Sequence, residues 1–91
     1  MAFNEYTKRL VWNKAQPRWG KGVNEVRIDA FGSLIRFRDY GSRQSVYGWE
    51  IDHITEIALG GTDAIWNLRP LNWVNNVRRW RNAPFPPWRR F

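Results

Sequence analysis

The chain contains no cysteine and only one histidine, His53. The first absence excludes disulfides and the thiolate zinc sites that staple many small basic domains. With a single imidazole on offer, any metal must be held chiefly by oxygen, and no structural zinc is expected. No apolar run approaches the length of a membrane span, and Met1-Ala2-Phe3-Asn4-Glu5-Tyr6 carries no apolar stretch of signal-peptide length. The expectation is a protein with no membrane partner, made and used in the cytoplasm. Acidic residues are scarce as well. Eight Asp and Glu against fifteen Lys and Arg leave a formal net charge of +7. That excess attracts polyanions, of which nucleic acid is the commonest.

What is present suffices for one small domain over residues 1–91. A chain of this length buries about 60–65% of the surface that its unfolded state exposes. Hydrophobic residues make up 43% of it and seven are Trp, so a core is within reach. Residues 7–12 suit a helical turn or more, and 17–22 read as loop. Residues 25–29 and 34–38 alternate polar and apolar around the turn Phe31-Gly32-Ser33, the pattern of a short hairpin. A second pair of strands fits residues 47–51 and 65–70 across a long loop. Asn72 suits an N-cap, and Trp73, Val77 and Trp80 recur with helical spacing, which predicts a helix over 73–82. Pro84 ends it, and a basic Pro/Arg tail occupies 83–91. The expected fold class is α+β, with a strand-loop-strand-helix unit over about 46–82 preceded by a short hairpin.

That unit concentrates the chemistry. Asp52 and His53 sit at the end of its first strand, Asn67 on the second, and Asn76 in the first turns of the helix. The Asp52 carboxylate and the Asn76 amide oxygen are hard ligands suited to one divalent cation, Mg²⁺ first, with Mn²⁺ or another divalent ion as alternatives. Imidazole is the side chain that changes charge near neutral pH, which makes His53 the natural general base. Asn67, across the loop, has an amide able to bond backbone on both sides and to hold that imidazole in one orientation. Arg79 shares a helix face with Asn76 and can grip a phosphate beside the metal. Acid, base, tight loop, amide and amide, backed by arginines, suit the cutting of a phosphodiester.

The ordered set Trp49-Glu50-Ile51-Asp52-His53-Ile54, Gly60-Gly61, Asn67-Leu68, Leu71 and Asn75-Asn76 resembles the ββα-metal fold of the HNH endonucleases, in the branch where Asn replaces the last His. The fourteen residues from His53 to Asn67 and the nine from Asn67 to Asn76 fit that family. The match covers about a third of the chain, and the hairpin with Arg38-Asp39-Tyr40-Gly41 is similar to small stand-alone bacterial and phage members. The resemblance implies metal-dependent hydrolysis of DNA, leaving 5′-phosphate and 3′-hydroxyl ends. His53 is then the base, Asn67 the residue that orients it, and Asp52 and Asn76 the metal ligands. The chain departs from the family at Glu56, where many relatives carry Pro, and at Arg79, where they carry Lys. Asn72 and Asn75 stand where zinc-stapled members have cysteines.

Blander roles stand beside these. Gly60-Gly61 supplies a positive φ for the loop in either reading. Glu50 is a salt-bridge partner for a nearby arginine rather than a ligand, and Asn75 competes with Asn76 for the ligand position. Trp49, Trp66, Trp73 and Trp80 belong to the core, whereas Trp88 is the candidate for base stacking. Arg69, Arg78, Arg79 and Arg81, with Arg89 and Arg90, are expected along a nucleic-acid backbone or on a solvated face. One such site cuts one strand, so a double-strand break calls for a homodimer or two nicks. Two alternatives carry different partners: a non-catalytic nucleic-acid-binding module on the same scaffold, and a nuclease toxin with a cognate immunity protein. Membership of a larger phage or bacterial complex stays open too.

Overall fold

Asn4 opens the first helix. Its backbone is extended, and its side chain accepts a hydrogen bond from Thr7 N at 2.8 Å, so one orphan donor of the first turn is satisfied. The helix is α1, Glu5–Trp12, with acidic Glu5 at its positive end. Eight residues are too few to hold a helix alone in water. Burial of Val11 and Trp12 against both sheets supplies what is missing. A computed structural model describes residues 3–81, without the side chain of Arg81. The expected tail, with Pro84, Trp88, Arg89 and Arg90, lies outside the described residues, as does the expected last helical position, residue 82.

Three strands form the first antiparallel sheet, in the order β1 (Gln16–Trp19), β2 (Val26–Ile28) and β3 (Leu34–Arg36). The hairpin read from the alternating pattern is β2 and β3, with the second strand ending two residues early. Phe37–Asp39 there tightens into a 3-10 turn. The loop expected at 17–22 is corrected: Gln16–Trp19 pairs with β2, with an irregularity between Pro17 and Trp19. All four β1 residues are exposed, so no period-two signal marks the strand. An edge position tolerates Pro17, which has no N–H to donate.

The second sheet holds β4 (Trp49–His53) and β5 (Leu68–Asn72), in register from Trp49 opposite Asn72 to His53 opposite Leu68. Both strands lie two or more residues later than the sequence pattern placed them. Ile65–Asn67 forms a 3-10 turn instead of strand. Tyr47 gives its carbonyl to Arg36 N at 3.0 Å and so belongs to the border of β3. Helix α2 (Trp73–Arg81) follows β5 without a linker, and the architecture is α+β, two helices against two antiparallel sheets.

Trp12 and Trp49, both fully buried, meet at a ring separation of 4.9 Å and join α1 to the second sheet. Val11, Ala15, Ile35 and Leu68 complete the buried cluster. The Trp66 expectation is corrected: this residue is 78% exposed, because the 3-10 turn points it outward. Trp73 and Trp80 are half-buried.

Asn72 fastens the parts together. Its Oδ1 accepts from Val74 N at 3.0 Å and caps α2. Its Nδ2 donates to the carbonyls of Leu34 and Val46 at 3.0 and 2.9 Å, and its backbone N–H donates to Asp29 Oδ2 at 2.9 Å. One buried side chain thereby fixes the start of α2 relative to both sheets. Among the described residues no helix is long and apolar enough to cross a membrane.

Candidate functional site

The pleat of β4 places Glu50 and Asp52 on one face, and α2 covers that face. Asp52, with a fully buried side chain, sits opposite Arg69 in the register with β5. Its Oδ2 receives Arg69 Nε at 2.9 Å and Arg79 Nε at 3.4 Å. Its Oδ1 is buried and has no hydrogen-bond partner among the described residues.

One turn before Arg79 on the helix is Asn76. Its Nδ2 donates to Glu50 Oε1 at 2.9 Å, and its Oδ1 is likewise buried without a partner. Glu50 is clamped in turn by Arg43, through Nε at 2.7 Å and the second guanidinium arm at 2.9 Å. The hydrogen bond from Arg43 holds the Glu50 carboxyl below the usual carboxylate range. Burial opposes that shift, and the Asn76 amide and the Arg43 charge add to it. Glu50 is therefore the arginine partner expected from the sequence, and it also positions Asn76.

An unsatisfied buried acceptor costs about 1–3 kcal/mol. The two acceptors stand on adjoining elements, one anionic and one neutral, and both are hard oxygens of the kind that divalent cations take. No group of three or more His, Cys, Asp or Glu side chains able to hold a metal occurs among the described residues. A cation here would rest on one carboxylate and one amide, its other positions left to water or substrate phosphate, as Mg²⁺ chemistry favours. Asn75, the competing amide, is used elsewhere: its Nδ2 donates to Asp29 Oδ2 at 2.9 Å and Ser33 Oγ at 2.8 Å.

His53 points to the other face of the strand end, with its ring 6.2 Å from that of Phe3. Its Nε2 lies 2.6 Å from Asp63 Oδ1. A carboxylate oxygen accepts here, so Nε2 carries the hydrogen of this contact, and in the neutral imidazole the lone pair is then on Nδ1. This is the tautomer that a general base oriented by a carboxylate requires. Arg79 ties the two faces together, reaching from Asp52 to the carbonyl of Ile54 at 2.6 Å on the far side of His53.

The expected place of Asn67 on the second strand is corrected: it lies in the 3-10 turn just before β5. Its amide bonds backbone on both sides, as expected, and does not touch the imidazole. Oδ1 accepts from Thr55 N at 2.8 Å, while Nδ2 donates to Thr55 O and Thr62 O at 3.0 and 2.8 Å. Those bonds close the loop 54–67, which brings Asp63 back to His53. Gly60, at φ +92°, provides the expected reversal. Gly61 serves close approach instead, since a Cβ there would lie 1.9 Å from Thr55 O. The ring is thus held by Asp63, with Asn67 acting one step removed.

Of the arginines expected on a nucleic-acid backbone, Arg69 and Arg79 are committed to Asp52 and Arg78 is exposed. The Arg81 side chain is outside the described residues. Sequence reading missed Asp63 and the positioning role of Glu50. The signal for Asp63 was faint: an acid two residues past a glycine pair in a loop that must return to the strand end. No protein-family model matches this chain, and no curated protein or solved structure matches it either.

Proposed function

We propose that the protein is a divalent-metal-dependent endonuclease that hydrolyses DNA phosphodiester bonds, with His53 as general base. The observation that carries this reading is the pair of oxygens Asp52 Oδ1 and Asn76 Oδ1, buried without a partner among the described residues, with His53 next along β4, facing the other side of the strand end and tied through Nε2 to a carboxylate. Asp52 and Asn76 would hold the cation, which when bound would supply positive charge to the phosphate. The rest falls to the chain itself. His53 Nδ1 takes a proton from water, whose oxygen bonds to phosphorus as the bond to the 3′ oxygen breaks. The 3′ oxygen leaves as a hydroxyl with a proton taken from a solvent water, the imidazolium later returns its proton to solvent, and the phosphate stays on the 5′ end. Asp63 holds the imidazole ring and compensates the charge it gains. Arg69 and Arg79 neutralise Asp52 and line the approach, and Arg78 with the +7 net charge attracts the polyanion.

The test is nicking of supercoiled plasmid by purified protein in Mg²⁺ or Mn²⁺, against EDTA and a His53→Ala control. Metal-dependent nicking lost in His53→Ala supports the reading. DNA binding without cleavage by well-folded wild type rejects it in favour of a non-catalytic binding module.

A further inference from the structure

Phe31 sits at the tip of the turn between β2 and β3 and is 56% exposed, although Arg69 packs over its ring at 5.2 Å. The turn is rigid. Asp29 Oδ1 accepts from Phe31 N at 3.0 Å and Ser33 N at 2.9 Å, while Oδ2 accepts from Asn72 N and Asn75 Nδ2 at the root of α2. A buried carboxylate with four hydrogen bonds thus locks an exposed aromatic ring to the helix that carries Asn76. Between turn and helix lies a cleft of about 300 Å³ lined by Phe31, Asn75, Arg78 and Arg79. It borders the candidate site, because Arg79 lines the cleft and pairs with Asp52.

An exposed aromatic ring beside the guanidinium groups of Arg78 and Arg79, with Arg69 packed against the ring, has the chemistry of a nucleotide subsite: a face for a base and positive charge for its phosphates. The base must be unpaired. Within a duplex each base already stacks on both neighbours, and extruding one is costly. We propose that this cleft binds an unpaired base adjoining the scissile phosphate, stacked on Phe31, so that single-stranded DNA is favoured over intact duplex. The proposal rests on the nuclease reading for the word scissile, but the stacking itself needs neither metal nor cleavage.

The test uses oligonucleotides carrying 2-aminopurine, whose fluorescence falls when it stacks, titrated with full-length protein in EDTA. Wild type is expected to quench the single-stranded probe and to bind it more tightly than the matched duplex. Phe31→Ala should weaken single-strand binding by roughly 5- to 150-fold, the range that base–aromatic stacking supplies, with duplex binding unchanged. Phe31→Leu keeps the apolar volume but has no π face, and should behave like Phe31→Ala while melting like wild type. Phe31→Trp should retain the quench. Unaltered quenching in Phe31→Leu, or equal wild-type affinity for single strand and duplex, overturns the proposal. His53→Ala should quench as wild type does. Wild-type protein that quenches but does not cleave in Mg²⁺ rejects the nuclease reading and leaves the subsite standing.

Discussion

Glu50 Oε1 accepts a hydrogen bond from Asn76 Nδ2 at 2.9 Å, and that contact decides which way the Asn76 amide faces. A carboxylate cannot donate, so the NH₂ group turns to Glu50 and the oxygen is left for something else. Asp52, two residues on and on the same face of the strand, likewise has one oxygen without a partner among the described residues. Glu50→Ala should therefore weaken Mn²⁺ binding by about 10-fold or more, the usual effect of losing a residue that orients a ligand. Glu50→Gln, whose carbonyl still accepts from Asn76, should retain most of the affinity. Calorimetric titration separates them, and equal affinities for both variants would contradict the orienting role.

Metal binding should also appear as stability. A ligand that binds only the folded state stabilises it by about 2.7 kcal/mol at a hundred times its Kd. For a domain of this size each kcal/mol raises Tm by roughly 4–8 °C. Wild type should melt higher in Mn²⁺ than in EDTA, whereas Asp52→Asn and Asn76→Ala should show no metal-dependent rise. Calorimetric scans of the three proteins suffice, and an undiminished rise in Asp52→Asn would place the ion elsewhere.

Asn67 is 6% exposed and bonds three backbone groups of the loop that it closes. Asn67→Ala should cost about 1–3 kcal/mol, because buried loop groups lose their partners. Asn67→Asp should cost more, since it turns a carboxylate oxygen toward two carbonyls. Urea unfolding measures both. In a nicking assay Asn67→Ala loses activity together with stability, unlike His53→Ala. A fully active, fully stable Asn67→Ala would remove the residue from the site altogether.

The legible part of the site was the part set by short-range rules. Asp52 and His53 end a strand, and Asn76, Val77 and Arg79 carry a helical phase, so their relative placement follows from periodicity. The Asn72 cap is local in the same sense. Asp63 is different: it reaches His53 only because Gly60, Gly61 and Asn67 fold a loop back on itself, and no periodic signal encodes that closure. The strand shift has a similar cause. Residues 65–67 have strand-like composition, yet a 3-10 turn places Asn67 inward and Trp66 outward. Strand β1, wholly exposed and interrupted by Pro17, depends on pairing with β2, which sequence pattern does not reveal.

Besides Glu50, two carboxylates remote from the site should make the protein sensitive to acid. Burial pushes the Glu25 carboxyl up, but hydrogen bonds from Trp12 and Arg27 and the charges of Arg27 and Arg9 bring it below its ordinary range. Asp39 follows the same pattern, with burial opposed by Ser45, Arg36 and Arg38. A depressed folded pKa contributes stability at pH above the unfolded value, about 4 for these groups, and that stability is lost as pH falls through the depressed values. Unfolding free energy measured by urea titration should therefore decline below about pH 5. The Glu25→Gln/Asp39→Asn double variant should start lower and decline less. A decline as steep as that of wild type would assign the acid sensitivity to other groups.

The His53–Asp63 contact makes the sharpest kinetic prediction. Asp63 is 45% exposed at its side chain, so the pair adds little to stability, and its removal should leave Tm nearly unchanged. Its effect belongs to the reaction. Without the carboxylate, Nε2 no longer fixes the tautomer, and the imidazole can present the wrong nitrogen to water. General-base catalysis contributes typically 10²- to 10⁴-fold, and loss of its orienting partner should forfeit a large share of that. Asp63→Asn is expected to lower single-turnover nicking by at least roughly 10-fold with little change in KM, because Asp63 makes no proposed contact with substrate. Asp63→Glu, which can restore a carboxylate to Nε2, should recover part of the rate. A raised KM with kcat intact would instead make Asp63 a binding residue, and His53 would then need another partner to hold its ring.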